Sequence, residues 1–292
     1  MVSNRSFDVV VCGSLHLDIV VNAPALPRID ETAVGHAWRQ VCGGKGGNQA
    51  IQAVHAGAQT AMLGRVGQDE FGRTLVAHLA KSGVDVSGVA VDSDKGSGMS
   101  VAILQDDGDY GAVIVSGANL EIDVSGLANQ WAKLGGSRVL VLQNEIPHAV
   151  NVAMAKLARA SGATVVLNAA PARKLGDDLL DSVDVLVVNR IEAEALCGHA
   201  VGNRATARDA MVKLSSPARA VIVTLGSEGL VVAETTGAVI EIQPVRVQVT
   251  ATHGAGDCFI GVLSAGLAAG QPLADASRKA NAQAAVYVSR KI

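Results

Sequence analysis

Five short runs rich in β-branched residues, Asp8–Gly13, Arg138–Leu142, Ala163–Leu167, Val183–Val188 and Ala220–Thr224, contain almost no polar side chains. A strand apolar on both sides has to be covered on both faces, and a parallel sheet clothed by crossover helices does this. Helix-period segments separate the runs at 48–57, 70–82, 148–161, 204–214, 255–269 and 273–288. The alternation predicts a doubly wound α/β fold. A length of 292 residues gives a prior of about two domains. The unbroken rhythm and the lack of a linker or internal repeat instead predict one domain over residues 1–292.

Two stretches depart from the rhythm, at about 15–40 and 98–117. They read as alternating strands around turn residues such as Ala23-Pro24, Pro27-Arg28 and Asp106-Asp-Gly-Asp109. Antiparallel pieces of this kind predict a small β lid over a ligand crevice, or else a pair of surface hairpins. The formal charge of −3 offers no positive field for a nucleic acid or an anionic membrane, and seven aromatics give few platforms for stacking bases. Cys12, Cys42, Cys197 and Cys258 form no C-x-x-C pair, so a reduced, cytoplasmic setting without zinc is expected. The apolar run Cys258–Gly270 is too short to span a bilayer. The segment Val9–Leu15, bounded by Asp8 and Asp18, does not read as a secretory leader.

Chemistry concentrates in the glycine-rich turns. Gly43-Gly-Lys-Gly-Gly-Asn48 opens a helix, lets backbone approach a ligand closely and supplies a cation in Lys45, with a plain helix-entry loop as the alternative. It is neither a Walker A loop nor a complete G-x-G-x-x-G, which speaks against a dinucleotide-dependent oxidoreductase. Thr252-His-Gly-Ala-Gly-Asp257 precedes an apolar helix. Amides at Gly254, Ala255, Gly256 and Asp257 would form an anion-binding nest at the positive end of that helix, with the Asp257 carboxylate beside it. A base next to an anion hole suits proton removal from an attacking hydroxyl; a helix-dipole role is the alternative. Asn189-Arg-Ile-Glu192 follows a strand and reads equally as a capping box or as an acid placed to hold Mg²⁺ through water. Thr224-Leu-Gly-Ser-Glu-Gly229, Glu145 and Asp18 lie at further strand ends, where an open α/β sheet binds its ligands. The seven histidines show no metal spacing, and His16 and His253 are the two that fall inside motif segments. Cys258 reads as a small helix residue because no cationic partner for a thiolate stands near it.

In combination these segments resemble the ribokinase family of sugar and nucleoside kinases, also called the PfkB family. The likeness covers essentially the whole chain through Gly13-Ser-Leu-His-Leu-Asp18, Gly43–Asn48, Asn168-Ala-Ala-Pro-Ala-Arg173, Asn189–Glu192, Thr224–Gly229 and Gly254–Asp257. The resemblance implies a three-layer α/β core with a small β-sheet lid. It also implies ATP-dependent phosphorylation of a hydroxymethyl group on a ribose-like sugar, and a homodimer built through the lid. By matching position, it makes Asp257 the catalytic base and Gly254, Ala255 and Gly256 the anion hole. His16, Asp18, Gly43, Gly44, Lys45, Asn48 and Glu145 become the sugar set. Asn189, Thr224, Leu225, Gly226, Ser227, Gly229 and Asn281 become the ATP set, and Glu192 organises the waters of Mg²⁺.

Three departures from the family pattern stand out. His16 takes the place where ribose kinases of the family usually carry Asn. Ala251 replaces an acid that helps a monovalent-cation site, and the sequence ends at Ile292, before the loop that usually completes that site. Both speak against activation by K⁺. A nucleoside kinase and a non-catalytic sugar or nucleotide binder are the alternative functions. The scarcity of aromatics disfavours the first, and Asp257 with Glu192 the second.

Overall fold

The computed structural model describes residues 7–106, 109–216, 219–250 and 254–290. Strands run, in chain order, β1 Phe7–Cys12, β2 His16–Ala23, β3 Ala37–Gly43, β4 Thr60–Gly67, β5 Asp85–Asp92, β6 Gly98–Gln105, β7 Tyr110–Val115, β8 Ser137–Gln143, β9 Thr164–Asn168, β10 Val185–Asn189, β11 Ala220–Thr224, β12 Leu230–Ala233 and β13 Val239–Ile242. The helices are α1 Lys45–His55, α2 Glu70–Lys81, α3 Leu127–Lys133, α4 His148–Ala160, α5 Asp177–Leu180, α6 Arg190–Cys197, α7 Arg204–Leu214, α8 Ala255–Ala268 and α9 Leu273–Ser289.

A nine-stranded sheet has the order β13-β12-β11-β10-β9-β8-β1-β4-β5, and a separate four-stranded sheet the order β3-β2-β6-β7. The large sheet is parallel except where β12 joins β11 and β13. Its strands are apolar on both sides because each side meets a different helical layer. Val10, Cys12, Leu140 and Leu142 pack with Trp131, Met154 and Ala207 from α3, α4 and α7. Their neighbours Val9, Val11, Val139 and Val141 pack with Ile51, Leu79 and Leu263 from α1, α2 and α8. None of the helices among the described residues is long and apolar enough to cross a membrane.

All five expected strands and all six expected helices are present, with ends displaced by up to three residues. The largest displacement has functional weight: α1 begins at Lys45, so Lys45 to Gly47 form its first turn and are not part of the preceding loop. Strands β4, β5, β12 and β13 and helices α3 and α5 were not anticipated, whereas α6 is the helix that the capping-box reading of Asn189–Glu192 implies. β4 hides because Gly64, Arg65 and Gly67 interrupt its apolar run, and only its place between β1 and β5 makes it a strand. The small sheet corrects the expectation of purely antiparallel pieces. β2–β3 and β6–β7 are antiparallel hairpins, but β2 and β6 join them in parallel. Its first segment also extends beyond residue 40, to Gly43.

The small sheet is tied to the large one at the start of β6. Asp69, the N-cap of α2, accepts from the Gly72 amide at 2.7 Å and from the Ser97 amide and hydroxyl, each at 2.7 Å. Ser97 Oγ in turn accepts from the amide of Gly67 at 2.9 Å. One carboxylate thus serves both as a helix cap and as the anchor of a strand in the other sheet. Asp69→Ala should lower unfolding stability by about 1–3 kcal/mol, measured by urea denaturation; a loss within the scatter of ordinary surface substitutions would refute the anchor.

Candidate active site

The carboxyl ends of β1, β8, β10 and β11 deliver the polar residues, as expected of a parallel sheet. Directly after β1, Ser14 and Leu15 turn the chain into β2. Glu145 follows β8 and reaches the amino end of α1, where its Oε2 accepts from the Lys45 amide at 3.0 Å and from the Ser14 hydroxyl. The remaining first-turn amides of α1 are also occupied: Gly46 N reaches Ser14 Oγ at 3.5 Å and Gly47 N donates to Ser14 O at 3.0 Å. The glycine cluster predicts a helix end open to a ligand; here it is filled by the protein's own carboxylate. Gly44, its N-cap, has φ 88°, and a Cβ there would lie 2.8 Å from both His16 N and Ser14 O, so only glycine fits.

Asp18 on β2 accepts from Ser100 Oγ on β6 at 2.5 Å, and Gly43 at the end of β3 pairs with His16. His16 is buried, with Nδ1 3.9 Å from Glu145 Oε2. His16, Asp18, Gly43, Gly44, Lys45, Asn48 and Glu145 therefore converge where the two sheets meet.

Asp257 lies in the first turn of α8 and is buried. Its Oδ2 accepts from Asn48 Nδ2 at 3.1 Å and its Oδ1 from Gln49 Nε2 at 2.9 Å. Burial pushes this carboxyl above the usual aspartate range, opposed by the Lys45 cation and by the two amide donors. Its helix has no side-chain cap. Gly254, the N-cap, has φ 79°, and a Cβ there would come within 2.9 Å of the Tyr287 hydroxyl. The first intrahelical bond at this end is Cys258 N to Gly254 O, which leaves the amides of Ala255, Gly256 and Asp257 without an intrahelical acceptor. Thr252, His253 and Ala251 lie outside the described residues. Burial raises the Cys258 thiol to about 11, in keeping with a structural residue.

Both readings of Asn189 and Glu192 began as possibilities, and the capping box is present. Glu192 N donates to Asn189 Oδ1 at 3.0 Å, while Asn189 N and Nδ2 donate to Glu192 at 2.7 and 2.8 Å. Glu192 is buried, and desolvation raises its carboxyl against the pull of Asn189 and Lys45. Thr224 is paired with Asn189 across β10 and β11. The loop from Gly226 is held by Arg190, which donates to Leu225 O at 2.7 Å and to Glu228 at 2.9 Å. Leu225 is buried in the core, so its side chain cannot line a crevice; Gly226 and Ser227 are exposed. Gly229 packs against Ile242 O and Pro244 N, and Asn281 on α9 donates to Gln243 O at 2.9 Å, so both border the same segment after β13.

Lys45 connects the halves, because its charge acts on His16, Asp257 and Glu192 alike. Sequence reasoning assigned no role to Ser14, Gln49, Ser100 or Asn119. Gln49 carried a signal, a polar residue on the buried face of a helix otherwise lined by Ala50 and Ala53. Ser100 and Asn119 acquire partners only through the pairing of β2 with β6 and the turn after β7.

Residues 6–291 match the model of the pfkB family of carbohydrate kinases. The chain is 34% identical to a ribokinase of Lactococcus lactis over 274 residues, 93% of this chain and 87% of the relative. It is 32% identical to a ribokinase of Haemophilus influenzae over 282 residues, 96% and 92% of the two chains. Its fold is similar to that of the ribokinase of Arabidopsis thaliana complexed with ribose and ATP, with a TM-score of 0.88, 29% identity, and coverage of 97% of this chain and 93% of that one. With its β/α order, its polar residues gathered at the strand ends and this match over nearly the whole sequence, the chain belongs to the pfkB family of carbohydrate kinases.

Proposed function

We infer that this protein is an ATP-dependent sugar kinase that transfers the γ-phosphoryl group to a primary hydroxymethyl of a ribose-like sugar. The observation that carries the reading is Asp257: a buried carboxylate, held by Asn48 and Gln49, beside three amides at a helix amino terminus that have no acceptor among the described residues. Kinship with ribokinases supplies the substrate class. In our reading the sugar lies among His16, Asp18, Lys45, Asn48 and Glu145, presenting its hydroxymethyl to Asp257. The carboxylate removes the hydroxyl proton as the oxygen forms its bond to the γ-phosphorus, and the bond to the bridging oxygen breaks to release ADP. Charge on the equatorial oxygens is met by the amides of Ala255, Gly256 and Asp257 and by Lys45. Transfer of this kind needs positioning and charge stabilisation more than a strong base.

ATP is placed along Asn189, Thr224, Gly226, Ser227, Gly229 and Asn281. The residues fit Mg²⁺ in one mode only. Among the described residues no group of three or more His, Cys, Asp or Glu could hold a metal. Glu192 is a buried carboxylate satisfied by neutral donors, so it suits a hydrated ion shared with phosphate oxygens. When bound, Mg²⁺ would offset phosphate charge. The small sheet acts as the lid. Its face opposite Asp18 carries Trp38 and Val113, which are 67% and 69% exposed, an apolar pair that suits a second copy of the chain. A cytoplasmic location fits four free cysteines.

Asp257→Asn should cut kcat by about three orders of magnitude with little change in ATP affinity, and it should still fold. The Gln49 amide can turn its unpartnered Oε1 toward the new NH₂. The sign for stability is also set. A carboxyl raised by folding contributes stability only while protonated and opposes folding above its raised value, so the variant should melt higher at neutral pH. Unchanged turnover would sink the mechanism. In the parent enzyme kcat/KM should fall on acidification with a limb above the ordinary aspartate range of about 4; a profile flat down to that pH would remove Asp257 as the base. Trp38→Glu should convert a dimer to a monomer in light-scattering chromatography, and a wild-type monomer at all concentrations would end the dimer proposal.

A further inference from the structure

Asn119, fully buried in the turn Gly117–Leu120 after β7, holds the backbone of Leu15 from both sides. Its Oδ1 accepts from Leu15 N at 2.8 Å, and its Nδ2 donates to Leu15 O at 2.8 Å and to Ser116 O at 2.9 Å. These partners fix the orientation of the amide, since a flipped group would set its NH₂ against the Leu15 N–H and its oxygen against two carbonyls. The third neighbour of Nδ2 is Nε2 of His16, at 3.4 Å. An NH₂ group can only donate. Both of its hydrogens already serve Leu15 O and Ser116 O, so Nε2 receives at most a shared one. A proton on Nε2 would meet a group with no acceptor capacity, whereas a proton on Nδ1 lies on the side of the Glu145 carboxylate. This geometry favours a bare Nε2 and a neutral imidazole protonated on Nδ1.

Nδ1 faces the sugar subsite. It stands 3.9 Å from Glu145 Oε2, too far for a direct hydrogen bond but a gap that one oxygen about 2.8 Å from each can bridge. The acceptor side is equally rigid. Glu145 is anchored through Oε2 by Ser14 and the Lys45 amide, and its Oε1 takes no donor among the described residues. Neutrality of the ring is favoured by burial, the leading influence on it, and by Lys45, against Glu145 and Asp18.

We propose that His16 is a specificity-determining residue locked by Asn119 into the Nδ1–H tautomer, and that His16 and Glu145 together read one secondary hydroxyl of the sugar, His16 donating to it and Glu145 accepting from it. This rests on the sugar-kinase reading above and adds a demand to it. The substrate class is a sugar whose hydroxyl at that position both accepts and donates, and an analogue lacking it leaves a buried donor and a buried carboxylate facing each other across a gap.

The test has two independent arms. In the full-length protein labelled with ¹⁵N-histidine, the His16 signals, identified by their loss in His16→Asn, should show a protonated, pyrrole-type Nδ1 and a bare, pyridine-type Nε2. A protonated Nε2 overturns the lock whether or not the protein is a kinase. In the second arm, wild-type turnover of ribose tests the kinase reading, and kcat/KM is then compared across its monodeoxy analogues. One analogue should lose about tenfold or more relative to ribose, and in His16→Ala that discrimination should collapse while the KM for ATP stays put. His16→Asn, whose amide nitrogen can stand where Nδ1 stood, should recover part of the discrimination, and His16→Gln should not. Equal discrimination by wild type and His16→Ala overturns the specificity role and leaves the kinase reading intact; absence of turnover with every sugar overturns the reading and the specificity role together, while the tautomer result still decides the lock.

Discussion

The Glu145 carboxylate at the amino end of α1 is the contact on which the site depends. It answers the Lys45 amide, takes the Ser14 hydroxyl and stands opposite His16. A helix amino terminus buried against a sheet needs an acceptor, and a negative charge there also meets the positive end of the dipole. By filling this role from the tip of β8, Glu145 fixes how α1 sits on β1. That in turn places Lys45, Asn48 and Gln49 relative to α8, and Asn48 and Gln49 hold Asp257. In the proposed reading, structure and substrate recognition therefore share one side chain.

The two helix amino termini in the site have opposite fates. That of α1 is closed by Glu145 and Ser14 and serves architecture. That of α8 has a glycine in the left-handed region as its cap and no side-chain cap among the described residues, and in the proposed mechanism its amides receive the anion. Both glycine clusters looked alike as sequence, because each places conformationally free residues before a helix. The difference arises from what the fold brings opposite them, a carboxylate in one case and the Tyr287 ring in the other.

Buried charge is handled economically. Asp257 and Glu192 each receive neutral amide donors and share Lys45 as a cation within electrostatic reach. Neither forms a tight ion pair with Lys45, and a tight pair would deepen the carboxylate into its charged form and tie up the lysine. The arrangement leaves the Asp257 carboxyl raised and the lysine without a tight carboxylate partner.

The sheet core was legible in the sequence because strands covered on both faces leave continuous apolar runs and helices leave a 3.6-residue period. Glu145 and Asn189 were legible for a related reason: in a parallel sheet the strand ends share one edge, so proximity follows from topology. Lys45 and Asp257 were legible through the glycines that open α1 and α8, whereas Asp18 lies on β2 of the small sheet and not at a strand end of the large one. The sequence by itself determined this layered fold and the identity of the chemical groups at its edge. Only the tertiary structure decided their pairing. The parallel join of β2 to β6, the anchoring of Asp69 to Ser97, the closure of α1 by the Glu145–Lys45 contact and the contact of Asn119 with His16 all link residues between 28 and 103 positions apart. The strand join is a backbone pairing and the others depend on the orientation of a side chain; local propensity encodes neither, because long-range hydrogen-bond partners are chosen by geometry after the chain has folded and not by the spacing of residues along it.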